Sequence, residues 1–321
     1  MPSGNIVKTL ISRSIQILKK DGIKGYYIAI KKYYEAYPPL RKVFYYWLYS
    51  KLHKNKMIIK EVQGSKMHLN LDDFGLSKQL FLNGIREPEC TRIMKDQLRK
   101  GMTIAEVGAN IGYYALMEAQ IIGDKGKIYA IEPFPPNYEL LKKNIELNSF
   151  DDRVDLHNIA ISNEQGTTKL FLNEKHNLCN MLESGNSEGF VEVETKTLDD
   201  FIKGKKLPDL IRMDIEGYEY YVLEGMKKTL KDCSSCKMFI EVHPFQMFEK
   251  GLDYKKPIKM LFDSGFKPTY IVKEHGPMKE ESFKYEKTND EFFDFLKEKD
   301  LTPPDNTHGF GLFLEKTKKT N

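Results

Sequence analysis

Three observations predict an α/β fold built on a doubly wound, mostly parallel sheet. From Met102 onward, short apolar segments alternate with runs of helical periodicity: strand 102–107, helix 112–122, strand 127–132, helix 136–148, strand 153–159. Strands and helices that alternate at this spacing form parallel βαβ units. The first strand runs straight into a small-residue turn, Gly108-Ala109-Asn110-Ile111, and Gly112 opens the next helix. That arrangement sets backbone N–H groups and a helix N-terminus at the carboxyl end of a strand, where open α/β sheets bind nucleotide-like ligands. The second strand ends on Glu132-Pro133. Glu132 stands ~20 residues beyond the turn, the place of an acid that accepts both ribose hydroxyls.

The other elements follow in order. Residues 5–54 have helical spacing, with Ile6, Leu10, Ile11, Ile15 and Leu18 on one face, then a run of tyrosines and Trp47 interleaved with Lys and Arg. Pro38-Pro39 divides this stretch into two helices. It forms a basic, aromatic extension, residues 1–56, ahead of an α/β domain at 57–321. Within the domain, residues 57–101 are a lead-in: a hairpin at 57–71 turning near Gly64-Ser65, a helix at 76–83, and a helix at 89–100 stopped by Gly101. Strand-like segments at 168–173 and 190–196 flank a polar loop. A short helix at 198–203, strand 208–213, helix 218–231, strand 237–242, helix 254–264 and strand 266–272 come next. A long charged loop at 275–308, with a helix near 289–298, is expected to vary with substrate, and strand 309–315 closes a seven-stranded sheet.

Charge is segregated. The first 60 residues hold 13 Lys and Arg against 2 Asp and Glu, so the remainder of a chain of net charge +4 carries −7. A mildly acidic α/β domain argues against a nucleic-acid enzyme with a broad basic groove. The basic aromatic helices fit an anionic membrane surface, or a cap docked on the domain or on a second copy of the chain. Cysteines are few, and Cys233-Ser-Ser-Cys236 has neither a second pair nor a histidine pair, which disfavours a zinc site. No apolar run approaches the ~20 residues of a membrane span, and no signal-peptide pattern is seen. The expected location is the cytoplasm, with peripheral membrane contact through residues 5–54.

The spacing of the turn narrows the ligand. A dinucleotide fingerprint needs glycine where Asn110 and Tyr113 stand. The pattern present is acidic-x-Gly-x-x-x-Gly, at Glu106, Gly108 and Gly112. Its N–H groups suit a carboxylate, and Glu106 suits an ammonium, directly or through water. Two further strand ends carry polar clusters: Asp214-Ile-Glu216-Gly217-Tyr218-Glu219 and Glu241-Val-His243-Pro244. Both should face the same crevice as the turn. Converging titratable groups of this kind mark a chemical site, although Asp214 and Glu219 also suit the start of the following helix.

The segments VGANIGYY, IEPFPPNYELLKKNIELN, HNIAIS, LIRMDIEGYEYYVLEG and IEVHP, in this order and spacing, resemble the FkbM family of methyltransferases. The resemblance covers roughly residues 80 to 273, and its most specific piece is the D-x-E-G-x-E block. It implies a class I methyltransferase (Rossmann-like) fold, S-adenosylmethionine as methyl donor, and O-methylation of a hydroxyl on a sugar, glycan or polyketide-type product. Residue by residue it implies a cofactor site from Glu106, Gly108, Asn110, Gly112, Glu132, Asn158 and Ala160. Asp214, Glu216 and His243 become the catalytic candidates.

An acceptor hydroxyl must lose its proton as it attacks the sulfonium methyl. His243 is the base best matched by its ordinary pKa, and Asp214 can orient the hydroxyl or serve instead. A second mechanism has Asp214, Glu241 and His243 hold Mg²⁺ to lower the hydroxyl pKa. Two alternatives stay open: methyl-ester formation on a uronic acid, which needs no base, and a non-catalytic module that binds glycan or membrane. Membrane contact would make a lipid-linked glycan a natural acceptor.

Overall fold

The structure, a computed structural model, describes residues 38–73, 75–173, 178–180, 189–274, 279–303 and 309–317. The chain divides into two compact units, residues 1–56 and 57–321. In the first, a helix spans Pro38–Leu52 and begins at the Pro38-Pro39 pair, where missing N–H groups do no harm. It exposes Phe44, Tyr45, Trp47, Leu48 and Leu52 and buries Tyr46. The helix expected before Pro38 lies outside the described residues.

The second unit opens with a hairpin, β1 (Met57–Val62) and β2 (Ser65–Asn70), followed by helices Leu76–Asn83 and Pro88–Gln97. The hairpin turns on Gln63 and Gly64, both at positive φ, as a two-residue turn requires. Then come β3 (Thr103–Val107), β4 (Lys127–Ile131), β5 (Val154–His157), β6 (Ala160–Ile161), β7 (Gly166–Asn173), β8 (Leu178–Asn180), β9 (Phe190–Lys196), β10 (Leu210–Met213), β11 (Cys236–Val242), β12 (Lys267–Glu274), β13 (Glu280–Lys284) and β14 (Phe310–Lys316). One sheet has the order β13-β12-β14-β11-β10-β3-β4-β5, and a small sheet has the order β6-β9-β7-β8.

The five strands β5, β4, β3, β10 and β11 run parallel, and β14 inserts antiparallel between β11 and β12. Every residue of β3 and β10 is buried, which explains their nearly continuous apolar sequence. The seven expected strands are all present, and β13 adds an eighth at the edge. Its sequence, EESFK, is mostly charged; charge blunts an edge strand against further pairing and also hides its alternation.

Two other departures have local causes. The strand expected over 153–159 stops at His157 because the Asn158 amide bonds back to the carbonyls of Glu132 (2.8 Å) and Pro133 (3.0 Å). Ala160 and Ile161 then join the small sheet. The helix expected over 218–231 is two helices, Glu219–Glu224 and Lys227–Asp232. Between them Gly225 packs so closely on the small-sheet connection that a Cβ would lie 2.0 Å from the Ser162 carbonyl oxygen. Gly225→Ala is therefore expected to lower unfolding free energy by about 1–3 kcal/mol, the range for overpacking, read as a shifted urea midpoint at unchanged slope.

Candidate active site

Parallel pairing aligns the strand ends. Val107 of β3 sits beside Met213 of β10, and Met213 beside Ile240 of β11. The Gly108 turn, Asp214 and the Glu241–His243 segment thus share one edge of the sheet. Gly108 has φ +85°, and a Cβ there would fall 2.2 Å from the Asp214 carbonyl oxygen. Only glycine permits that approach.

The turn itself is closed. The N–H groups of Gly108 and Ala109 donate to the Ile131 carbonyl, Asn110 N–H to Glu132 Oε2 (2.8 Å), Ile111 N–H to Asn110 Oδ1, and Gly112 N–H to the Ala109 carbonyl. The expectation that these amides await a ligand carboxylate is corrected: all five have an acceptor within the chain. Glu132 instead ties the turn to the next strand, since its Oε1 accepts from Phe134 N–H at 3.0 Å. Burial pushes its pKa up to about 7. The Asn137 side chain donates to it as well, so of its roughly four lone-pair sites one remains to accept a hydroxyl. Asn158 is exposed at the rim of this strand end, whereas Ala160 packs with Leu170 and Val193 inside the small sheet.

Glu106 does not reach the crevice as an ammonium acceptor. It lies on a strand buried on both faces and is fully enclosed. Arg212 Nη1 donates to its Oε1 at 2.6 Å, and Arg212 Nη2 reaches Asp214 Oδ2 at 3.3 Å. The guanidinium also lies 3.7 Å over the Tyr114 ring, a cation–π contact in a desolvated place. Beside this group sits Glu118, also fully buried. Burial and the Glu106 carboxylate raise its pKa well above the usual range.

The other strand ends form the acidic side of the crevice. Asp214 accepts from Arg86 as well as Arg212, both at 3.3 Å. Arg86 also pairs with Glu87, whose Oε2 takes the Tyr114 hydroxyl at 2.8 Å. Glu216 stands at φ +54°, a strained conformation for a residue with a side chain, of the kind held at functional sites. Its side chain is 29% exposed, against 12% for Asp214, 10% for Glu241 and 5% for His243. Burial and the neighbouring acids push the Glu216 pKa up to about 7, against the pull of His243. Glu274 and Glu280, from β12 and β13, are pushed up to about 9 and about 7, chiefly by burial.

His243 differs most from expectation. Its Nδ1 lies 2.8 Å from Glu219 Oε1, which also accepts the Gly217 N–H at 2.9 Å. Its Nε2 faces Glu241 Oε1 at 3.4 Å and Glu216 Oε2 at 3.6 Å. Burial alone would lower the imidazole pKa, but Glu219 and Glu216 outweigh it and hold the pKa well above the ordinary value. A raised pKa makes the ring a poorer match to the role of general base than its ordinary value suggests.

Sequence reasoning missed Arg86, Glu87, Arg212 and Glu118 and left Glu219 undecided. Two of these had a signal: Arg212 interrupts LIRM and Glu118 interrupts YYALMEAQII. A charge inside an otherwise apolar element requires a buried partner. Among the described residues two groups come close enough to hold a metal ion, Asp214–Glu216–His243 and the all-acid Glu87–Asp214–Glu241. Asp214 belongs to both groups, but the expected trio of Asp214, Glu241 and His243 does not form one: His243 falls with Glu216, and Glu241 with Glu87.

The strand order, with one antiparallel strand inserted before the edge and a glycine turn after the central strand, defines a class I methyltransferase fold. The model of the methyltransferase FkbM domain matches residues 106–297, well over half of the chain, and the chain belongs to that family. It is similar to the hexuronic acid methyltransferase AglP of Haloferax volcanii, 23% identical over 56% of this chain and 69% of that one. It is similar also to a protein-L-isoaspartate O-methyltransferase of Methanococcoides burtonii, 33% identical, but over only 27% of this chain and 40% of that protein. Among solved structures it resembles Methanocaldococcus jannaschii Trm5 in complex with adenosine (15% identity, TM-score 0.43), a likeness covering 83% of this chain and 57% of that one. It also resembles a SAM-dependent O-methyltransferase from Thermotoga maritima (12% identity, TM-score 0.37), covering 74% and 68%.

The buried carboxyl pair yields a prediction with a defined sign. Glu118 has a raised pKa in the folded state, so the folded chain holds a proton that the unfolded chain releases. Its contribution to stability is full below the unfolded pKa and is lost as pH rises above it. Glu118→Gln keeps the shape of the side chain and removes the titrating proton. Urea titrations are expected to give the variant a stability advantage at pH 8 that shrinks toward pH 5; an advantage independent of pH would contradict the assignment.

Proposed function

We propose that the chain is an S-adenosylmethionine-dependent O-methyltransferase acting on a sugar hydroxyl of a glycan or glycoconjugate. The observation that carries this reading is the convergence, in an FkbM-family chain, of the Gly108 turn and Glu132 with Asp214, Glu216, Glu241 and His243 along one sheet edge. The residues fit the donor. Glu132 retains acceptor capacity for a ribose hydroxyl, Asn158 stands at the rim of the same strand end, and glycine at 108 lets the turn approach the Asp214 strand end.

When bound, S-adenosylmethionine would supply an electrophilic methyl on a sulfonium. The protein's task is then alignment of the acceptor oxygen and removal of its proton. Glu216, the most open carboxylate of the cluster, takes that proton. The new O–CH₃ bond forms as the S–CH₃ bond breaks, and the sulfonium charge is cancelled. His243 acts as a positioning residue, fixed by Glu219 and holding Glu216 and Glu241 on its far side.

The acid excess also argues for a hydroxyl over a carboxylate acceptor. A uronate would enter beside Asp214, Glu216 and Glu241 and meet like charge, so methyl-ester formation is the second reading, favoured only by similarity to a hexuronic acid methyltransferase. The same charge opposes a phosphate backbone, which needs basic residues. Among the described residues no helix is long and apolar enough to cross a membrane. The exposed aromatics of Pro38–Leu52 in a basic segment support peripheral contact with an anionic surface, and with it a lipid-linked acceptor at the cytoplasmic face.

Calorimetric titration with S-adenosylhomocysteine tests the donor site. Micromolar binding to the wild type is expected, weakened at least about tenfold in Glu132→Ala, the loss of one hydrogen bond to a charged group. No binding to a folded wild-type chain would overturn the reading. With an acceptor in hand, Glu216→Gln is expected to bind S-adenosylhomocysteine as the wild type does while methyl transfer falls about 10²–10⁴-fold; undiminished transfer would remove Glu216 from the chemistry.

A further inference from the structure

We propose that the acidic end of the crevice is a divalent-cation site formed by Asp214, Glu216 and His243, with Glu241 at its side. One ligand atom from each of the three lies within 4.8 Å of the others. An ion that binds oxygen at about 2.0–2.6 Å spans a gap of that size.

The two nitrogens of His243 behave differently. Nδ1 makes a hydrogen bond of 2.8 Å to Glu219, and Glu219 is fixed in turn by the Gly217 N–H. Nε2 stands off at 3.4 Å from Glu241 Oε1 and 3.6 Å from Glu216 Oε2. Those separations are long for a charge-assisted hydrogen bond, which closes to about 2.7–2.9 Å. They suit neighbouring ligands of one ion. A carboxylate on the far nitrogen is also the arrangement that orients a metal-binding imidazole.

A second observation is independent of these distances. Glu241 is 7% exposed, and its Oε2 is buried with no hydrogen-bond partner among the described residues. A buried carboxylate oxygen without a donor is costly, and a cation would satisfy it. The nearby guanidinium groups are already engaged: Arg86 with Glu87 and Asp214, Arg212 with Glu106 and Asp214. The alternative grouping, Glu87–Asp214–Glu241, is less suited, since Glu87 is held by both Arg86 and the Tyr114 hydroxyl.

Two carboxylates and one imidazole are a mixed O/N set suited to Mn²⁺ or Mg²⁺. The chemical role of the ion, lowering the pKa of an acceptor hydroxyl, rests on the methyl-transfer reading; the binding site does not.

The test is titration of the EDTA-treated full chain with MnCl₂, followed by loss of the free Mn²⁺ electron paramagnetic resonance signal, with Mg²⁺ and Zn²⁺ as competitors. One saturable Mn²⁺ per chain is expected. Glu216→Gln, at a partly exposed side chain, should weaken it at least about tenfold, and Glu219→Gln, acting through His243, by about 10–100-fold. Circular dichroism confirms that both variants fold. Absence of saturable Mn²⁺ binding to the folded wild type overturns the proposal. So does binding that Glu87→Gln abolishes and Glu216→Gln leaves intact, which moves the ion to the other grouping. Neither result bears on S-adenosylhomocysteine binding, so failure of the cation site and failure of the methyltransferase reading are distinguishable.

Discussion

The arginine in the middle of β10 organises this molecule. Arg212 is a full charge on a strand buried on both faces, and a charge so placed is tolerated only with close, well-formed partners. It finds three: the Glu106 carboxylate on the neighbouring strand, Asp214 at the end of its own strand, and the Tyr114 ring on the following helix. These partners come from the βαβ unit that carries the glycine turn and from the strand that carries the acidic block. A side chain only 2% exposed thereby ties the glycine-turn edge of the crevice to its acidic edge. Removing one partner of such a buried group typically costs about 3–5 kcal/mol, so the register of β3 against β10 depends on this interaction.

From Arg212 the charges extend outward in alternation. Glu118, with its raised pKa, lies beside Glu106, Glu106 holds Arg212, Arg212 holds Asp214, and Asp214 accepts from Arg86, which holds Glu87. Beyond Asp214 the alternation fails. Glu216, Glu219 and Glu241 meet one imidazole, and burial raises the pKa values of Glu216, Glu274 and Glu280. The crowding lies where the crevice opens, at Glu216. An acid excess at an opening, beside a chain of fully compensated charges in the interior, is what a site requires if it is to take up something that a packed core does not supply.

The framework was legible in the sequence because it rests on periodicity. The alternation from Met102 placed the parallel strands, and the glycine turn, Glu132 and the acidic block came from strand ends that read plainly. Side-chain orientation was not legible. Glu106 occupies the expected motif position, yet it faces inward, and nothing in TIAEVG separates an acid that meets a ligand from one that meets an arginine. Arg86 was hidden for another reason: it reaches Asp214 across 128 residues of chain, and pairings at that separation leave no local pattern. His243 looked like a base because its ordinary pKa is near neutral. Only the carboxylates around it, brought together from two strand ends and a turn, show why its pKa is raised.

The segregation of charge bears on what the crevice can take up. The first 60 residues carry a net basic excess and the acidic surplus belongs to the α/β domain, where part of it is concentrated in the crevice. A cation or a neutral hydroxyl-bearing group meets hydrogen-bond acceptors there, whereas a densely anionic group meets like charge.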